Sequence, residues 1–154
     1  MSLPWLWNAL VRHLKVPLRW QGVYRSPEII GILAGIYMVL AGSETANGKW
    51  SSSSYKLLDI GQSDGASGKH VYQDRESCWN HNKPAGTTLL FKMAPMLSSQ
   101  YDETDRKIVE CCLRAHNRPL PCGNECNLGY NRDETVEISN TGSYTPLLAR
   151  YKCA

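Results

Sequence analysis

The chain has 154 residues, 42% of them hydrophobic and 20% charged. This is one domain's worth of a globular composition, not that of a disordered chain. Its longest apolar run, residues 29–42, is shorter than the ~20 residues a membrane-spanning helix needs; no membrane partner is expected. The net charge of +3 is unevenly spread: residues 1–27 contribute +4 through Arg12, Lys15, Arg19 and Arg25, and the remainder is close to neutral. Residues 1–10 carry Trp5, Trp7 and Asn8 where a signal peptide has its basic region. The six cysteines (78, 111, 112, 122, 126 and 153) are therefore expected as reduced thiols in a cytoplasmic protein.

In chain order, residues 2–16 read as an amphipathic helix: Leu3, Leu6, Trp7, Leu10, Val11 and Leu14 recur at helical spacing and Pro17 stops them. Residues 1–27 form a basic helix with its linker, a possible homodimer contact, and 28–154 the main domain. Residues 35–42 read as a buried strand, 43–54 as a polar loop, and 55–62 as a second strand of an antiparallel hairpin. A helix over about 68–80 follows, then a strand over 87–96. A helix capped by Asp102 or Thr104 runs through about His116. The tail is irregular, with one short strand candidate at 135–138. This order is α+β, with helices packed on a small antiparallel sheet.

Two short motifs sit on the hairpin: Gly35-Ile36-Tyr37 on the first strand and Asp59-Ile60-Gly61-Gln62-Ser63 on the second. Asp74-Arg75-x-x-Cys78-Trp79 and Ile108-x-Glu110, running into Pro121-Cys122-Gly123, come later. In these segments, over roughly residues 30–125, the sequence resembles the GIY-YIG nuclease family. The resemblance implies a three-stranded antiparallel sheet flanked by helices, here with an extra N-terminal helix. It also implies a divalent-metal-dependent endonuclease acting on DNA.

Phosphodiester hydrolysis needs an oriented water, positive charge at the scissile phosphate and help for the leaving oxygen. A single carboxylate suffices to hold Mg²⁺ or Mn²⁺, which keep several waters and take phosphate oxygens. Glu110 is the candidate metal ligand, and Tyr37 the candidate for orienting water through a phenol acidified by nearby cations. The family's helical arginine falls by spacing on Lys69, while Arg75 is the nearest true arginine; the family's histidine falls on Gln73, with His70 a substitute. Asp59 stands where the family has its second tyrosine. It either joins Glu110 as a metal ligand or removes a needed phenol. Gly35 and Gly61 allow close backbone approach, and Lys49 with Trp50 offers a DNA-contacting loop. The family's late asparagine falls on Asn127 or Asn124, with Asn117 an outside choice and Asn127 preferred.

Each residue also has an ordinary reading. Tyr37 suits a core strand, Glu110 an ion-pair face with Arg106 and Arg114, Asp59 a turn cap, and Lys69 and Arg75 a solvated helix surface. The substitutions at 59, 69 and 73 leave open a catalytically inactive nucleic-acid- or protein-binding module. His116, Cys122 and Cys126 have spacing compatible with zinc, but without a second cysteine pair. A cysteine nucleophile at Cys78 with His81 or His116 has no supporting motif. No phosphate-binding loop and no HExxH occurs.

Overall fold

The computed structural model describes residues 13–65, 72–126 and 135–153. Six strands form one mixed sheet: β1 (His13–Tyr24), β2 (Ala34–Gly42), β3 (Lys56–Asp64), β4 (Thr88–Pro95), β5 (Thr135–Gly142) and β6 (Arg150–Cys153), in the order β3-β2-β4-β1-β5-β6. The sheet curls into a half-barrel. Among the described residues, two α-helices pack with it, α1 (Gln73–Asn82) and α2 (Glu103–His116).

The expected three-stranded sheet with an added N-terminal helix is corrected by this arrangement. Residues 13–16, assigned to that helix, begin β1, which pairs in parallel with β5 and antiparallel with β4. The physical reason is a period of two: Val16, Leu18 and Trp20 are buried, while Lys15, Pro17, Arg19 and Gln21 between them are exposed. Pro17 is tolerated because residues 13–20 pair with β5 alone, and a strand paired on one side can spare an N–H. Residues 1–12 of the expected helix, with any dimer contact there, lie outside the described residues. Among the described residues no helix is long and apolar enough to cross a membrane.

β2 is buried at all nine positions, so its sequence is an unbroken apolar run rather than an alternation. Ile36, Met38 and Leu40 join the main core, with Val109 and Leu113 of α2 and Leu18 of β1. Tyr37, Val39 and Ala41 face a second core closed by Trp79 of α1 and Phe91 of β4. Each fully buried large side chain is worth ~1.5–3 kcal/mol. α2 starts at a capping box in which the Asp102 carboxylate accepts from the Asp105 N–H at 2.8 Å and the Asp105 carboxylate accepts from the Asp102 N–H at 3.1 Å.

The six cysteines are not reduced thiols. They form Cys78–Cys122, Cys111–Cys126 and Cys112–Cys153. Cys111 and Cys112 are adjacent on α2, and each pairs with a different segment.

Candidate functional site

The β2–β3 register sets Tyr37 opposite Gly61. The tyrosine ring lies across that glycine, and a Cβ there would collide with the ring. Gly35 is equally constrained, because a Cβ there would run into the Ala94 and Pro95 backbone of β4. Both glycines are thus needed for packing. Tyr37 is 1% exposed. Burial pushes its phenol up to about 12, against the opposite pull of Arg75. The expectation of an acidified phenol is therefore corrected: desolvation outweighs the neighbouring cation.

Arg75 lies in the first turn of α1, and its Nη1 donates to the Tyr37 hydroxyl at 3.2 Å. Its Nε reaches the Asp59 Oδ2 at 3.3 Å. Asp59 is fully buried and accepts from Trp79 Nε1 at 2.8 Å, with Arg114 Nη2 3.8 Å from its other oxygen. Burial pushes this carboxyl up to about 6, opposed by Arg75, Trp79 and Arg114. Asp59 therefore acts as an internal counter-ion for two arginines; it does not line the adjoining cavity.

That cavity, about 550 Å³, is lined by Arg75, Lys107 and Arg114 as cations and Glu110 and Glu125 as anions, with Gln62 and Gly123 among the remainder. Glu110 pairs with Arg114 Nη1 at 3.1 Å. Its carboxyl is raised by burial, against the pull of Arg114 and Arg75 and a hydrogen bond from the Gln62 N–H. Arg114 is fixed in turn by donating to the Ile60 and Glu125 carbonyls, each at 2.7 Å. Gly123, at φ +82°, packs against Arg75, Asp59 and Arg114, where a Cβ would collide. Its loop is tied to α1 by Cys78–Cys122 and to α2 by Cys111–Cys126.

The structure thus brings together Tyr37, Asp59, Gly61, Arg75 and Glu110. Lys69, His70 and Asn127 lie outside the described residues. Lys49 is exposed on the loop between β2 and β3 and is not part of the cavity wall. Asn124 does line the cavity, whereas Asn117 caps α2 by donating to the Leu113 carbonyl at 2.7 Å. Arg114 and Lys107 were not singled out by sequence as site residues, although Arg114 stands one helical turn after Glu110. The zinc candidates His116, Cys122 and Cys126 are not assembled as a trio, since Cys122 and Cys126 pair with Cys78 and Cys111.

The resemblance implies a divalent ion, and the donor set fits one. Glu110 and Glu125 both line the cavity, and carboxylates are the hard donors by which Mg²⁺ or Mn²⁺ is held, one or two at a time, with waters and substrate oxygens. No family model matches the chain, and comparisons with curated proteins and with solved structures find no match.

Proposed function

We propose that the chain is a divalent-metal-dependent endonuclease that hydrolyses phosphodiester bonds of DNA, in keeping with its resemblance to the GIY-YIG nucleases. The observation that carries this reading is one cleft holding Arg75 and Arg114 beside Glu110. Guanidinium groups match phosphate oxygens, and a carboxylate suits a hard cation. Arg75 is held in aim by Asp59 behind it and by the Tyr37 hydroxyl beside it, so little ordering is left for the moment of binding. Lys107 adds positive charge at the cavity wall.

Glu110 would hold the metal ion, which when bound supplies a more acidic water and polarises the phosphate. Tyr37 keeps its proton at neutral pH, because burial raises its pKa to about 12. Its role is to position Arg75 and to offer a hydroxyl, rather than to take a proton from water.

The burial of Tyr37 favours a second reading, a nucleic-acid-binding module without cleavage. Supercoiled plasmid incubated at low salt with Mg²⁺, Mn²⁺ or EDTA separates the two. Nicking that needs the metal, is lost in Glu110→Gln and Glu110→Ala, and leaves the gel shift largely intact is the expected result. A gel shift without nicking under either metal supports the binding module. No shift and no nicking removes both readings.

A further inference from the structure

A second cluster, none of whose members lines the cavity, sits where the end of α2 meets β6. Cys112, His116 and Cys153 have their ligand atoms within 4.8 Å of one another. Cys112 and His116 are four residues apart on α2, so they share one helical face. Cys153 reaches them from β6, the edge strand. The His116 Nε2 lies 3.0 Å from the Lys152 carbonyl oxygen. A carbonyl oxygen only accepts, so Nε2 carries the proton and the lone pair is on Nδ1. Such a hydrogen bond fixes the tautomer of a metal-binding histidine. The Tyr151 ring packs against the imidazole at 5.1 Å and limits its movement.

We propose that Cys112, His116 and Cys153 are a redox-gated zinc site, closed to metal as the Cys112–Cys153 disulfide and open to one Zn²⁺ when that bond is reduced. Two thiolates and an imidazole are the ligand types zinc favours, and a water completes four-coordination. The chemistry balances with an external dithiol. The S–S bond breaks as two electrons and two protons pass to the cysteine sulfurs, and the dithiol closes to its own disulfide. Zn²⁺ then displaces the two thiol protons into solvent. The sulfurs must part to roughly 3.8 Å, the separation set by Zn–S bonds of about 2.3 Å in a tetrahedron. The Cα atoms are 5.8 Å apart, so side-chain rotation supplies this without unpairing β6. Either state ties β6 to α2, which makes the site a switch between two clamps rather than between folded and unfolded chains. It does not depend on the nuclease reading.

The test uses the full chain, reduced with dithiothreitol, freed of reductant under anaerobic conditions and titrated with Zn²⁺ and with Co²⁺. Wild type is expected to take up one Zn²⁺ and to give a tetrahedral cobalt spectrum with a sulfur-to-cobalt charge-transfer band. His116→Ala and Cys112→Ser should bind at least tenfold more weakly, whereas the Cys111→Ser/Cys126→Ser control should bind as wild type does. Zn²⁺ should raise the Tm of reduced wild type and not that of reduced His116→Ala. The oxidised protein should retain no zinc. Equal affinity in His116→Ala, or loss of binding in the Cys111→Ser/Cys126→Ser control alone, overturns the proposal. So does zinc uptake by a reduced chain whose near-ultraviolet circular dichroism stays lost, because unfolded thiols would then be the ligands.

Discussion

Asp59 shows how one side chain organises the cavity wall. It is sealed from water yet faces Arg75 and Arg114, with Trp79 donating to it. Burial raises its pKa to about 6, above the unfolded value of about 4. The fold therefore favours the protonated form. The stabilising contribution is present in full below about pH 4 and is lost as pH rises through about 6. Asp59→Asn removes this titration. Unfolding free energies from urea titrations between pH 4 and 7 should shift relative to wild type, in favour of the variant as pH rises, by on the order of 3 kcal/mol. A difference that stays flat over that window would mean that the two arginines offset the burial completely. At this scale the sequence was informative about Tyr37, Asp59 and Glu110, because the motif order marks them. The sequence does not choose between Lys69 and Arg75, because counting from Gly61 needs the start of the helix. Helix α1 begins at Gln73, and it is Arg75 that meets Tyr37.

At the scale of elements, the sequence displayed β2, β3, β4 and α2 because each carries a single clear period or run. β1 was hidden by overlap. Leu14 completes the helical spacing of Leu3 to Val11 and also opens the alternation through Val16, Leu18 and Trp20. Pro17 reads as a helix stop and so conceals the strand that passes through it. β4 holds a different anomaly, since Lys92 is 2% exposed on a strand between two others. Its Nζ donates to the Thr145 carbonyl at 2.7 Å and stands 5.0 Å from the Tyr55 ring centre. Burial lowers its pKa to about 8, below the unfolded value of about 10.4. The fold thus favours the neutral amine, and stability rises with pH between about 8 and about 10.4. Lys92→Met removes the cost of burying the charge and forfeits one hydrogen bond of about 1 kcal/mol. We expect it to stabilise the protein at pH 7 by roughly 2 kcal/mol and to abolish the alkaline rise. Chemical denaturation at pH 7 and pH 10 checks both; a destabilised variant at pH 7 would show that the hydrogen bond and cation–π contact outweigh desolvation.

The whole molecule depends on pairings that local sequence does not carry. β1 lies beside β5, with His13 opposite Thr135, and a period of two announces a strand without naming its neighbour. Disulfide pairing is equally non-local, because six cysteines admit fifteen connectivities. The structure ties Cys122 to α1, and the Cys122 N–H donates to the Leu58 carbonyl on β3 at 2.9 Å. The next residue is Gly123, which packs on Arg75, Asp59 and Arg114. One crosslink therefore serves both the fold and the cavity. Cys78 and Cys122 are 44 residues apart, and closing a loop of that length constrains the unfolded chain by about 4 kcal/mol in the chain-entropy account. Cys78→Ser/Cys122→Ser should lose roughly 2–4 kcal/mol in chemical denaturation. If the cavity binds DNA as proposed, the variant should also bind it more weakly at temperatures where it is still folded, because Gly123 no longer presses the two arginines into place. Tight binding with lowered stability would assign this disulfide to the fold alone. Weakened binding with retained near-ultraviolet circular dichroism would make it part of the cavity wall.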